Sequence, residues 1–119
     1  MAVRRSSKAS ATPRPGRAVR GSTSGRPIMA LLDLLGRRWA LRVLWELRAG
    51  PLTFRAVQAQ SDGVSPSVLN ARLAELRDAG IVEQQAGAGY ALTADGERLL
   101  AALAPLQQWA TGWARRRGA

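Results

Sequence analysis

The sequence predicts a mainly α fold with a small β-hairpin, an α+β domain, for a chain of 119 residues. Three observations predict this class. Apolar residues recur at helical spacing in several stretches, a serine or threonine stands at the cap position before three of these stretches, and two short strand-like runs flank a glycine-rich loop. The length corresponds to one domain of ordinary size.

Two helices are predicted at the start of the apolar part of the chain. The first follows Pro27, and its apolar face is formed by Ile28, Leu31, Leu32 and Leu35. After Gly36 the helical pattern resumes over residues 37–48. Gly50 and Pro51 end this second helix, because glycine permits a left-handed cap and proline cannot continue a helix.

Two short helices joined by a turn follow. Thr53 is expected to cap a helix over residues 54–60, and residues 61–63 form the turn. Ser65 and Pro66 then start a second helix that reaches Asp78, since serine is a good cap and proline suits the first helical position. Two short helices with such a connection are typical of a helix-turn-helix.

A hairpin and a long helix complete the predicted order. Residues 81–85 and 90–92 are predicted as strands around the loop of residues 86–89. Thr93 is expected to cap the last helix, and Pro105 inside that helix should bend it. The apolar face of this helix comprises Leu99, Leu103, Leu106, Trp109, Ala110 and Trp113. A helix-turn-helix followed at once by a hairpin is the winged helix-turn-helix arrangement, here with extra N- and C-terminal helices.

The charge is concentrated at the two ends of the chain. The formal net charge is +10, and residues 1–25 contain six basic residues and no acidic one. Residues 26–114 have nine arginines against eight acids, and residues 115–117 add three arginines. Residues 1–25 also lack large apolar side chains, so we expect a disordered basic tail there and one domain over residues 26–119. A chain with this balance is expected to bind a polyanion.

The composition excludes several classes of function. Cysteine and histidine are both absent, which excludes disulfides, thiol redox sensing and Cys/His zinc sites. No acid/base pair, metal constellation or phosphate-cradling loop is recognisable, so we expect neither an enzyme nor a metal or cofactor. The apolar runs are far too short to span a bilayer, and the expected location is the cytoplasm, at the nucleoid.

Over residues 27–113 the sequence resembles the HxlR-type winged-helix transcriptional regulators of bacteria. The resemblance rests on segments in the same order, residues 35–39 (LGRRW), 50–54 (GPLTF), 64–73 (VSPSVLNARL), 80–82 (GIV) and 90–93 (YALT). It implies a homodimer that binds double-stranded operator DNA and regulates transcription. Many members carry a cysteine where this chain has Arg26, and their wing is usually longer and often basic.

The helix that starts at Ser65 is expected to enter the major groove. The N-terminal half of such a recognition helix is the part that reaches base edges, and with Leu69 and Leu73 turned to the core the intervening residues face outward or sideways. The predicted DNA-binding residues are Thr53, Arg55, Ser65, Ser67, Val68, Asn70, Ala71 and Arg72. For Arg72, a phosphate contact and an internal ion pair both remain open, and Asn70 is either a base contact or a solvated helix residue.

The apolar faces at the two ends of the domain predict a homodimer. They exceed what a winged-helix core of residues 37–93 can cover, and large uncovered apolar faces usually mark an interface. The predicted interface residues are Ile28, Leu31, Leu32, Leu35, Leu103, Leu106, Trp109 and Trp113. The alternative is that these side chains cap the protomer's own core. A dimer would bind an inverted-repeat operator, most simply as a repressor.

Two other functions are compatible with the residues. A winged helix can bind a protein instead of DNA, which the near-neutral charge of residues 26–114 and Glu83 in the wing would allow. Non-specific nucleoid binding through the arginine-rich ends is the second. A small-molecule effector could also bind near Trp39, Trp45 and the terminal helices, although the residues identify no particular ligand.

Overall fold

The computed structural model describes residues 12–20 and 22–118. Its elements follow the predicted order, with five helices and one hairpin. They are α1 (Pro27–Leu35), α2 (Ala40–Glu46), α3 (Phe54–Gln60), α4 (Pro66–Asp78), β1 (Val82–Gln85), β2 (Gly89–Leu92) and α5 (Ala94–Arg116). A short 3-10 turn, Leu47–Ala49, extends α2. The predicted winged helix-turn-helix, with helices before and after it, is confirmed.

Three of the helices begin at the predicted caps. The hydroxyl oxygens of Thr53, Ser65 and Thr93 accept hydrogen bonds from the backbone N–H groups three residues later, at 3.1, 3.2 and 3.0 Å. Each bond satisfies one of the N–H groups that the first helical turn leaves without a partner. The starts of α3, α4 and α5 are therefore determined by local sequence.

The second helix is shorter than the helical pattern predicts. Trp39 has a left-handed backbone (φ 78°), so the residues before it form a turn and α2 begins only at Ala40. A bulky residue in this region is uncommon. Here the Trp39 side chain packs against the hydrophobic core, and burial of the ring offsets the backbone strain.

A third segment of the chain pairs with the hairpin, and the sequence pattern did not reveal it. β1 and β2 pair in antiparallel register from Val82 with Leu92 to Gln85 with Gly89. Leu52, in the loop before α3, exchanges two backbone hydrogen bonds with Tyr90, at 2.9 and 2.7 Å. The wing is thereby tied to the start of the helix-turn-helix.

A single apolar core joins the helix-turn-helix to the rest of the domain. α4 lies against α2, and its inward side chains Leu69, Leu73 and Leu76 are almost completely buried. Val43, Leu44 and Leu47 meet them from the α2 side. This packing fixes which face of α4 points to solvent.

Part of the segment expected to be disordered has defined contacts. Residues 1–11 and 21 lie outside the described residues, but 12–20 and 22–25 form a bend closed by a 2.7 Å hydrogen bond from the Gly16 N–H to the Gly25 carbonyl. Arg14 pairs with Asp78, and Arg20 pairs with Asp33. Residues 12–20 and 22–25 therefore have defined contacts in the structure, whereas the disorder expected of the basic tail as a whole stays a prediction.

Candidate nucleic-acid interface

The solvent-facing side of α4 is an open surface that is polar except at Ala74. Ser67, Asn70, Ala74 and Arg77 are all exposed, and their spacing of three, four and three residues places them on one helical face. We call these four residues the outer stripe. The Ser65 cap lies at its N-terminal end, where the Ser67 backbone N–H and the helix dipole favour a phosphate.

The predicted DNA-binding residues divide into two groups. Thr53, Arg55, Ser65, Ser67 and Asn70 are exposed, at the starts of α3 and α4 and on the outer stripe. The other three are half-buried: Val68, Ala71 and Arg72. Val68 packs against the hydrophobic core, so only part of its side chain is exposed, at the edge of the solvent-facing side of α4.

Arg72 forms the internal ion pair that the sequence left open. Its Nη1 donates to the Glu75 Oε1 at 2.7 Å, and its Nε donates to the Arg38 carbonyl at 2.8 Å. The same carboxylate accepts from Arg37 Nη1 at 2.9 Å through its other oxygen. Glu75 therefore joins α4 to the turn between α1 and α2, and Arg72 strengthens this link by bonding both Glu75 and the Arg38 carbonyl.

Two outer-stripe residues were missed as candidates. Ala74 and Arg77 are exposed beside Ser67 and Asn70, and helical spacing from Asn70 could have identified both. Arg77 and Arg55 form no ion pair with any residue in the described parts of the chain. Both guanidinium groups are available to a phosphate, which matters because most nearby arginines are already paired.

The wing contributes little positive charge. The turn between β1 and β2 consists of three small residues, and residues 82–92 contain Glu83 but no lysine or arginine. The exposed Glu83 carboxylate accepts a 3.0 Å hydrogen bond from Gln85. Charge at this surface comes from the α3 and α4 residues instead.

Comparison with known proteins agrees with this architecture. The model of the HxlR-like helix-turn-helix family matches residues 34–117. This chain belongs to the HxlR-like helix-turn-helix family. Its membership confirms the resemblance found in the sequence and supports DNA-binding transcription regulation as its function.

Individual relatives cover most of the chain. The uncharacterized HTH-type transcriptional regulator YvaP of Bacillus subtilis is 32% identical over 88 residues, which span 69% of this chain and 82% of YvaP. The quinone-bound structure of YodB from B. subtilis is 33% identical with a TM-score of 0.67, covering 71% of this chain and 94% of that one. A possible HxlR family transcriptional factor from Thermoplasma volcanium has a TM-score of 0.64 at 30% identity, covering 71% and 82%.

In this HxlR-like chain, most of the predicted dimer residues are exposed apolar side chains on α1 and α5. Ile28, Leu32, Leu106, Trp109 and Trp113 are each more than half exposed. The two tryptophan rings stack with their centroids 5.7 Å apart. Such large apolar side chains are unusual on a protein surface that stays in water.

The other three predicted interface residues are less available. Leu31 and Leu103 are half-buried and pack against the core. Leu35 is a core residue with only 9% of its surface exposed, so its assignment to the interface does not hold in this structure. The last turn of α1 faces inward, and the exposed part of the α1 face is limited to its first turns.

An apolar groove of about 430 Å³ lies between α2 and α5. Its lining includes Leu41, Trp45, Leu100, Leu103 and Leu106. Trp45 thus lines a groove as the effector hypothesis expects, whereas Trp39 packs against the core.

No helix among the described residues is long and apolar enough to cross a membrane.

Proposed function

We propose that this chain is a sequence-specific repressor that binds an inverted-repeat operator as a homodimer, with α4 in the major groove. The observation that carries this proposal is the outer stripe. It is exposed from residue 67 to residue 77 and polar except at Ala74, while the opposite face is anchored in the core. A helix held in this way can enter a groove without rearrangement of the domain.

Within the proposed complex, each exposed residue has a role that its chemistry suits. Asn70 would pair with an adenine edge through its amide, which presents one donor and one acceptor. The Ser67 side chain would face the groove. Ser65 and the Ser67 backbone N–H would bind a phosphate at the helix start, because Pro66 has no N–H and those of Val68 and Leu69 already donate to Ser65. Arg55 and Thr53, at the start of α3, would bind the backbone on the other side of the groove.

Val68, Ala71 and Arg72 would have secondary parts. Val68 and the Ala71 methyl group lie at the edge of the surface, where they would contact a thymine methyl group. Because Arg72 is engaged by Glu75, its proposed contribution is to hold α4 in place rather than to bind a base.

The proposed dimer buries the exposed apolar surface of α1 and α5. Stacked Trp109 and Trp113 are suitable anchors, since tryptophan is enriched where a few residues carry most of the binding energy. Two copies related by a twofold axis would present two α4 helices to half-sites about one helical turn apart. The operator is therefore proposed to be an inverted repeat, and the site of action to be the nucleoid.

The apolar groove between α2 and α5 is the proposed site for an effector. YodB, a transcriptional regulator similar to this chain, has been solved with a quinone bound. The present chain contains no cysteine, so any ligand here would bind without a thiol adduct. The groove's largely apolar lining favours an uncharged compound.

Selection of bound sequences from random duplexes at physiological salt tests the proposed function. Enrichment of an inverted repeat is the expected result, and the Asn70→Ala variant should then lose preference at one position in each half-site. Arg98→Ala provides a matched control, because Arg98 is exposed on α5 and pairs only locally with Asp95. Recovery of no preferred sequence would contradict specific binding and would favour non-specific attachment or a protein partner.

A further inference from the structure

The described N-terminal residues lie along one side of α4. We call residues 12–20 and 22–25 the N-terminal arm. Both oxygens of Asp78, in the last turn of α4, accept hydrogen bonds from Arg14 Nη2, at 3.2 and 3.4 Å. Ala71, two helical turns before Asp78 on α4, lines a polar cavity of about 470 Å³, and Arg20 of the arm lines the same cavity. The arm therefore runs beside the C-terminal half of α4, next to the outer stripe.

The arm has a defined shape of its own. Val19 and Ser22 exchange two backbone hydrogen bonds, at 2.8 and 3.0 Å. Gly16 and Gly25 approach so closely that a Cβ atom on Gly25 would lie 3.1 Å from the Gly16 backbone. These contacts close the arm into a compact bend, which restricts where its arginines can reach.

Positive charge is in excess along this side of the molecule. The cavity between the arm and α4 is lined by four arginines and two carboxylates, namely Arg20, Arg37, Arg38, Arg72, Asp33 and Glu75. Arg17, between the two anchored arginines, is exposed and has no ion-pair partner among the described residues. The arm itself carries no acidic residue.

The two ion pairs that anchor the arm differ in burial. Both partners of the Arg14–Asp78 pair are exposed, at 60% and 47%, and such a pair contributes little net stability, because water screens it and its side chains must be held in place. Arg20 is 74% exposed, but its partner Asp33 is only 6% exposed and also pairs with Arg37 at 3.6 Å. Asp33 therefore keeps a cation beside it when Arg20 moves to a phosphate. When a DNA phosphate replaces Asp78 or Asp33 as the partner of an arm arginine, the release of condensed counterions from the DNA also favours binding.

We infer that the N-terminal arm is a second DNA-contacting element, in which Arg14, Arg17 and Arg20 bind the phosphate backbone beside the groove that α4 occupies. The inference rests on the proposed function, because it requires α4 to dock on a duplex. The arm leaves the exposed Ser67 and Asn70 at the N-terminal half of α4 accessible. It would thus add affinity without adding base preference, as phosphate contacts do.

A pair of charge-matched triple variants of the full chain tests this inference. In the first, Arg14, Arg17 and Arg20 are each replaced by Gln, and in the second the three arginines at 115–117 are each replaced by Gln. Both remove three positive charges from exposed positions. Circular dichroism confirms that each variant retains the helical content of the wild-type chain.

Binding to the selected operator and to an unrelated duplex is then measured over a range of salt concentrations. We expect the arm variant to reduce the slope of log K against log salt by about 2 to 3, because each lost phosphate contact contributes about 0.9. Its affinity should fall by a similar factor on both duplexes, so that the ratio between them stays constant. The C-terminal variant should change the slope much less.

Three results would overturn the inference. Equal slope changes in the two variants would show an effect of net charge alone, and an unchanged slope in the arm variant would show that the arm does not touch DNA. Tighter binding by the arm variant would show that the arm shields α4. In each case the wild-type chain still binds its operator, so the proposed function stands, whereas a wild-type chain that binds neither duplex would refute both.

Discussion

Removal of the Glu75 charge tests how α4 is held in place. The Glu75 side chain is only 10% exposed, and its partners Arg37 and Arg72 are 13% and 19% exposed. Breaking a fully buried pair costs about 3–5 kcal/mol, whereas an exposed pair is worth about 0–1 kcal/mol. For this nearly buried group, with Gln retaining the shape and one acceptor oxygen, we expect Glu75→Gln to cost about 2 kcal/mol of unfolding free energy.

That loss is measurable in a thermal melt followed by circular dichroism. For a domain of this size, about 1 kcal/mol corresponds to about 4–8 °C, so Glu75→Gln should lower Tm by about 8–16 °C. All samples must have the same protein concentration, because the proposed dimer would make Tm depend on concentration. Addition of salt should leave most of the difference in place, since nearly buried charges are poorly screened.

Asp95→Asn is the matched control. It also removes one carboxylate that pairs with an arginine three residues away, but both side chains are about three-quarters exposed. Its Tm should fall much less than that of Glu75→Gln, because the exposed pair contributes little and the interaction of Asp95 with the N-terminal end of the α5 dipole is worth about 0.3–1 kcal/mol. If Glu75→Gln melted as the wild-type chain does, the pair with Arg37 and Arg72 would not hold α4, and apolar packing alone would account for its position.

Three further outcomes are expected. Asn70→Ala should relax base preference at one operator position by about 1–3 kcal/mol while leaving binding to unrelated duplexes unchanged; equal losses on both would contradict a base contact. Gly89→Ala should lower the unfolding free energy by at least about 2 kcal/mol, since the residue has φ 91° and a Cβ atom there would clash with the Leu52 carbonyl oxygen; a variant whose urea midpoint equals that of the wild-type chain would refute this clash. Replacement of Trp109 and Trp113 by Ser should give monomers in sedimentation with unchanged helical content, and a persistent dimer would place the interface elsewhere.

The element order could be predicted because its signals are local. Thr53, Ser65 and Thr93 each bond to an N–H group three residues away, so the residues that start a helix are adjacent in the sequence. The same locality made the core face of α4 predictable, because Leu69 and Leu73 are one helical turn apart. The outer stripe follows from that face.

Contacts between distant parts of the chain could not be predicted in the same way. The sequence suits Arg72 equally for a phosphate and for an internal pair, and only the approach of Arg37 and the Arg38 carbonyl to α4 decides between them. Leu35 fits the apolar face of α1, but the packing of α1 against the core determines that it points inward.

The amino-acid sequence by itself determined the family, the order of helices and strands, the three caps and the face of α4 that is free to contact a ligand. The tertiary structure alone decided the left-handed turn at Trp39, the tie between Leu52 and Tyr90, and the place of the N-terminal arm beside Asp78. The physical reason is range. Caps and helical faces are set within one or two turns, whereas an ion pair between residues 14 and 78 forms only after the core has brought them together.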